Sequence, residues 1–306
     1  MKLNISKPAG YIAMGVLLGL GAGLFYSFSS GDTGNNFERD DRIMYKWQPF
    51  PVPKKIDFAG ERTPLERQEV VEYFDRELQN NYYRHGSFIY TLKLSGRVFP
   101  VIEKILKEEG IPDDFKYLCV AESNLQNLVS PAGAEGYWQF LKATATQYGL
   151  EVTDEVDERY HLEKSTRAAC RYLKAAYGKA GSWTAAAAGY NCGTAGYSSR
   201  AAYQGSDNYY DLILPEETNR YIFRILTFKH LMGNAEEVGF VIPKGEMFRP
   251  YKTKKVTVTE SIPDLAAFAR AQGSSYKLVK MLNPWLKDKK LTVKPGKSYV
   301  IEVQTI

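Results

Sequence analysis

Apolar residues recur at three- and four-residue intervals through most of the chain and give way to strict alternation only near its end. Thr63-Pro64-Leu65-Glu66 has the form of a helix start, with a threonine cap, proline in the first turn and glutamate three residues after the cap; Val70, Val71, Phe74 and Leu78 then follow at helical spacing. Arg97 to Glu109 repeats the pattern with Val98, Val101, Ile102 and Ile105. Next, a helix opened by Pro112 and Asp113 would stack Phe115, Leu118, Cys119 and Glu122 on one face. Glu163 to Lys179 is amphipathic, Ser182-Trp183-Thr184 caps a helix whose Ala185 to Ala188 run suits a close crossing, and Asn219 to Met232 closes the series.

After Val241-Ile242-Pro243-Lys244-Gly245 the texture changes. Lys255 to Thr259 alternates as a strand, Asp264 to Gln272 and Tyr276 to Leu282 read as short helices, and Ser298 to Val303 as a second strand. The pattern therefore predicts a mainly α domain over residues 61–242 and a small β-α-α-β module over 250–306. Upstream, Lys2 and Lys7 precede an apolar run from Ala9 to Phe28, the form of an export segment. Its length suits a membrane anchor, whereas Ser27-Phe28-Ser29 suits signal cleavage, so residues 1–30 are either. The absence of a nearby cysteine excludes a bacterial lipoprotein anchor. Polar, proline-containing sequence then makes residues 31–60 a linker.

Composition narrows the functional classes. The net charge of +5 comes without a Lys/Arg stripe, so nucleic acid is not an expected partner, and an anionic cell-wall polymer accounts for the balance equally well. The 22 Tyr and 4 Trp would suit the faces of sugar rings, although most must fill the core. Cys119, Cys170 and Cys192 read as small apolar thiols, because an odd number cannot all pair. His85, His161 and His230 are scattered and no Cys/His pair has zinc-ligand spacing, so neither metal nor cofactor is expected. Oligomeric state stays open.

Glu122 is the residue with chemistry to explain, since an acid on an otherwise apolar helix face is desolvated, and desolvation raises a carboxyl pKa towards that of a general acid. Downstream lie Gly136-Tyr137-Trp138-Gln139-Phe140, Ala188-Gly189-Tyr190-Asn191-Cys192-Gly193 and Pro215-Glu216-Glu217-Thr218-Asn219-Arg220-Tyr221. Together with Glu122-Ser123, these four segments resemble in their order the goose-type lysozyme and lytic transglycosylase family, over about Pro100 to Phe240. The family's glycine-leucine-methionine-glutamine segment reads here as Gly136-Tyr137-Trp138-Gln139, with the apolar pair changed. The C-terminal module resembles a LysM module, although the family's glycine-aspartate-threonine turn is replaced by Glu260-Ser261-Ile262. Glycan binding and a purely structural part are both open for it.

The resemblance implies a lysozyme-like fold and action on peptidoglycan glycan strands in the bacterial envelope. It implies that Glu122 protonates the bond between N-acetylmuramic acid and N-acetylglucosamine, then deprotonates the muramoyl 6-hydroxyl to give a 1,6-anhydro end. Under that resemblance Ser123 would contact the sugar, Gln139 line the groove, Tyr190 hydrogen-bond Glu122, Asn191 hold the N-acetyl group and Glu217 polarise the groove. Glu135, in a glycine-flanked turn, reads as a solvated loop residue. The alternatives are a hydrolytic muramidase using water, or a non-catalytic peptidoglycan-binding protein.

Overall fold

The computed structural model describes residues 49–305; the expected signal or anchor, and the linker as far as residue 48, lie outside the described residues. Among the described residues no helix is long and apolar enough to cross a membrane. The fold is mainly helical. Its helices are α1 (Gln68–Tyr82), α2 (His85–Glu108), α3 (Phe115–Ser123), α4 (Lys142–Gln147), α5 (Leu162–Ala180), α6 (Trp183–Cys192), α7 (Thr194–Gln204) and α8 (Glu216–Gly233). Antiparallel pairs β1/β2 (Asp57–Phe58, Glu61–Arg62) and β3/β4 (Leu128–Val129, Glu135–Gly136) punctuate them.

Each long helix buries the stripe its sequence marks: Val70, Phe74 and Leu78 on α1, and Val98, Ile102 and Ile105 on α2. Helix α8 is the hub, touching α1, α3 and α6. Helix α6 buries Ala185, Ala186, Ala187 and Ala188, which present no bulk to keep neighbours apart.

Three boundaries differ from the sequence reading, the first two because a tertiary contact takes a local signal. Helix α1 begins at Gln68 rather than at Thr63: the buried Thr63 hydroxyl accepts from Tyr210 Oη at 3.2 Å, so it is not free to cap. Pro112 to Asp114 form a turn before α3, because the Asp114 carboxylate takes Ala59 N–H at 2.6 Å and Lys229 Nζ at 2.7 Å. The expected helix from Arg97 is the second half of α2, which starts at His85 and runs through Pro100.

The linker expectation extends too far. Ile56 and Phe58 are buried, with Phe50 and Val52 packed on the same core. Glu61 receives the N–H groups of Trp183 (2.6 Å) and Thr184 (2.8 Å) together with the hydroxyls of Ser182 and Thr184, fixing the start of α6. Burial pushes its pKa up, but these four hydrogen bonds outweigh it and leave the carboxyl below its ordinary value.

The C-terminal module has the expected order: β5 (Thr253–Val258), α9 (Leu265–Ala271), α10 (Tyr276–Leu282) and β6 (Tyr299–Gln304), with Val256 opposite Ile301 in an antiparallel pair. Asp264 caps α9 and Ser275 caps α10. Its apolar core is completed by Val156 and Tyr160 from the helical domain. Residues 50–305 accordingly form one compact unit, so removing the module uncovers apolar surface.

Glu77, 1% exposed on α1, is held by Arg220 at 2.5 Å and Arg224 at 3.2 Å on α8. Removing one partner of a buried ion pair strands the other charges, so Glu77→Ala is expected to cost about 3–5 kcal/mol in urea unfolding. A loss below about 1 kcal/mol would mean that the pair is effectively solvated.

Candidate active site

Helix α3 is buried on nearly every side: Phe115, Leu118, Cys119 and Val120 have no exposed surface. It stops abruptly, because Asn124 adopts a left-handed cap (φ 50°) and Leu125 follows at φ 60° with its side chain buried. The chain thus leaves the helix one residue after Ser123, and the last turn places Glu122 in a cleft of about 690 Å³. Gln139, Tyr190, Asn191 and Glu217 line the same cleft, so the structure brings together residues spread over four segments. The smaller hollow of about 470 Å³ beside Tyr73 and Phe223 holds no comparable group, since its Arg67 is paired with both Glu69 and Asp211.

The Glu122 carboxyl accepts a hydrogen bond from Tyr221 Oη. Its pKa is pushed up to about 7, chiefly by desolvation; the Tyr221 bond opposes the rise, nearby Glu217 adds to it and Arg224 opposes it. Glu217, Tyr221 and Arg224 recur at i, i+4 and i+7 on α8, so one helix face supplies all three influences. The phenol of Tyr221 is held well above its ordinary pKa by burial and by the neighbouring carboxyl, which keeps it a donor.

Two expected roles are overturned by geometry. Tyr190 does not bond Glu122; its hydroxyl donates to Trp138 O at 2.7 Å, and Tyr221 takes the place beside the acid. Ser123 is 1% exposed and does not line the cleft; its single hydroxyl hydrogen is shared between Tyr137 O at 2.8 Å and Cys119 O at 3.2 Å. Both side chains instead hold consecutive carbonyls of the turn from Gly136 to Gln139. Trp138 anchors that turn from inside, fully buried and donating to Thr166 Oγ1 at 2.9 Å.

Gln139 sits at φ 49°, with Nε2 donating to Gly136 O at 2.8 Å and Leu128 O at 3.0 Å. Its Oε1 is left to accept from a ligand hydroxyl. Gly136 is required where it stands: φ is +85°, and a Cβ there would lie 2.1 Å from Arg159 O. Asn191 Oδ1 accepts from Thr218 Oγ1 at 2.7 Å, an orientation that leaves the amide N–H groups to donate.

Glu135 is also corrected: it is no solvated loop acid, being paired with Arg159 at 3.0 Å and accepting from Tyr160 Oη at 2.7 Å. Of the residues lining the cleft, Glu122 and the exposed Glu217 carry carboxylates. Cys119, Cys170 and Cys192 are free thiols, as read from their number. No cluster of three or more His, Cys, Asp or Glu able to hold a metal occurs among the described residues. Sequence reasoning gives no role to Tyr221 or Arg159. Spacing could have found the first, four residues after Glu217; Arg159 carries no comparable signal.

A carboxyl with pKa near 7 can hold a proton at neutral pH and accept one back, the requirement for acid and then base work at one atom. Carbon-13 titration of Glu122 should therefore show a midpoint near 7. Tyr221→Phe removes a donor to the charged form and should move the midpoint up; Glu217→Gln removes a like charge and should move it down. Because the folded pKa lies above the ordinary value of 4.5, Glu122's contribution to folding stability is lost as pH rises between the two. A midpoint at the ordinary value in the unsubstituted protein would show an open, solvated carboxyl.

Comparison with known proteins agrees with this architecture. Residues 99–213 match the transglycosylase SLT domain, and residues 254–305 match the soluble lytic transglycosylase C-terminal LysM-like domain. Two curated relatives, the membrane-bound lytic murein transglycosylases D of Escherichia coli K12 and of Escherichia coli O6:H1, are each 26% identical over 233 residues. The alignment covers 74% of this chain and 51% of each relative, so the chain spans about half the length of the curated relatives it matches. The cleft around Glu122 thus belongs to a transglycosylase SLT domain, joined to a LysM-like C-terminal SLT domain in a chain homologous to membrane-bound lytic murein transglycosylase D.

Proposed function

We propose that the chain is a peptidoglycan lytic transglycosylase that cleaves the β-1,4 bond between N-acetylmuramic acid and N-acetylglucosamine and leaves a 1,6-anhydro-muramoyl end. The observation that carries this reading is the Glu122 carboxyl, open to the cleft yet pushed up to about 7. Protonated Glu122 gives its proton to the glycosidic oxygen; the C1–O bond breaks and N-acetylglucosamine departs as the alcohol. The muramoyl N-acetyl oxygen stabilises the cation at C1, with Asn191 donating to that group and Gln139 accepting from a sugar hydroxyl. Glu122, now a carboxylate stabilised by Tyr221, removes the proton of the 6-hydroxyl as O6 bonds to C1. The acid is thereby restored without water.

Glu217 supports a second reading, since a hydrolytic muramidase could use it to activate water. Its place against that reading is the face it shares with Tyr221 on α8, beside the acid, where it raises the Glu122 pKa. The 6-hydroxyl is tethered to the reacting centre, and a well-oriented intramolecular nucleophile has an effective molarity of about 10⁵ M or more. The relatives' name, membrane-bound murein transglycosylase, and the apolar run 9–28 support a place in the bacterial envelope, periplasmic and either secreted or anchored. On this reading residues 1–30 direct export and 61–242 perform the chemistry.

Glu122→Gln should reduce clearing of purified sacculi by at least about 10²–10⁴-fold while leaving the circular-dichroism spectrum unchanged, since the amide cannot deliver a proton. Undiminished clearing would remove Glu122 from the mechanism. The released muropeptides should be one water lighter than lysozyme products and resist borohydride; reducing ends would identify a muramidase instead.

A further inference from the structure

The C-terminal module and the cleft meet through one segment of chain, which carries the buried Arg159. The segment from Glu151 to Tyr160 leaves the helical domain, runs along the module and returns to α5. On the module side, Asp157 N–H donates to Trp285 O at 2.8 Å and Lys287 N–H to Glu155 O at 2.8 Å. Glu155 also receives Thr292 N–H at 2.6 Å, while Glu151 pairs with Lys297 at 2.6 Å and accepts from Tyr299 Oη. The side of the module formed by residues 285–299 is thus occupied by its own catalytic domain.

On the cleft side the same segment presents Arg159, whose side chain is 5% exposed. Asp157 grips its guanidinium with both oxygens, at 2.7 and 3.0 Å. The other guanidinium contacts go to Phe140 O in the cleft lining at 3.2 Å and, on the hairpin whose turn lines the cleft, to Gly133 O at 3.4 Å and the Glu135 carboxylate at 3.0 Å. Arg159 O also faces Gly136 so closely that only glycine fits. A residue whose neighbours Val156, Asp157 and Tyr160 are seated on the module therefore holds the hairpin that precedes Gln139 at its turn and second strand, and Phe140 beyond it.

We propose that the LysM-like module is a strut for the active site and that Arg159, aligned by Asp157, is the positioning residue that carries its support to the cleft wall. This rests on the functional reading above only for its kinetic consequence, since the mechanical coupling can be measured without turnover. The wall binds glycan; the acid is set separately by α3 and α8. Loosening the strut weakens substrate binding and leaves the proton chemistry in place.

Asp157→Asn in the full chain keeps the side chain's size while removing its charge from Arg159. With soluble, uncross-linked glycan strands, KM is expected to rise about tenfold with kcat held within about twofold, the signature of lost uniform binding. The alkaline limb set by Glu122 should stay near pH 7. A merely structural defect differs, because loss of folded protein lowers apparent kcat and leaves KM alone. Hydrogen exchange supplies the direct readout: the Ser130 and Glu135 amides, bonded to Ala134 O and Phe140 O, should exchange faster in the variant. Should Asp157→Asn fail to fold, Glu151→Gln combined with Glu155→Gln loosens the docking from its solvent-accessible side. Faster exchange at the Lys287 and Thr292 amides then reports the loosening, and exchange at Ser130 and Glu135 must rise with it. A loosened interface with unchanged wall exchange, or unchanged KM in folded Asp157→Asn, overturns the proposal. If the unsubstituted chain cleaves no glycan, the functional reading has failed and the exchange data still decide the strut.

Discussion

A carboxyl enclosed by protein without a cation bonded to it is the constraint on which the rest of the site depends. Helices α3 and α8 could bury an apolar residue at position 122 at no electrostatic cost; with glutamate there, the charged form loses hydration that the Tyr221 hydroxyl only partly replaces. Arg224 lies close enough to be felt, yet its guanidinium is engaged by the buried Glu77. Were Arg224 to bond Glu122 directly, the acid would be held ionised and useless as a proton donor at neutral pH. The Glu77 pairs with α8 and the chemistry at Glu122 are therefore parts of one electrostatic arrangement.

Positioning that carboxyl requires a helix that ends on time. Left-handed Asn124 and Leu125 stop α3 one residue beyond Ser123, and the turn from Gly136 to Gln139 lies against the helix through Tyr137 O. Side chains from two helices hold that turn by its backbone: Ser123 from α3 at Tyr137 O and Tyr190 from α6 at Trp138 O. Backbone carbonyls in such a turn would otherwise be buried without donors, so these two polar residues satisfy a structural need beside the acid. Their proximity to Glu122 reflects the turn they secure more than any contact with substrate.

The two folded parts communicate through charge and backbone. Asp157 and Arg159 sit where the module's core accepts Val156 and Tyr160, so apolar packing holds the segment while the guanidinium reaches inward to the wall. His161 shares this boundary; its ring stacks on Trp285, and burial pushes its pKa down to about 4, so the contact carries no charge at neutral pH. A module built of short elements, with six-residue strands and seven-residue helices, gains order from this contact that it would not have alone.

Much of this protein was legible in its residues. Helical periodicity marked the buried stripes of α1, α2 and α5, alternation marked β5 and β6, and an acid on an apolar face marked Glu122, because each is a local pattern with a fixed geometric consequence. The resemblance also singled out Gln139, Asn191 and Glu217, which line the cleft with the acid. Tertiary structure alone decided which hydroxyl reaches Glu122, since Tyr190 and Tyr221 come from helices whose relative rotation no spacing within either segment reveals. It also decided that Thr63 gives up its cap, that Ile56 and Phe58 leave the expected linker for the core, and that Arg159 reaches Phe140 in the cleft lining. In each case the partner lies on another element, and a hydrogen bond or ion pair fixed by three-dimensional approach leaves no trace in the order of neighbouring residues.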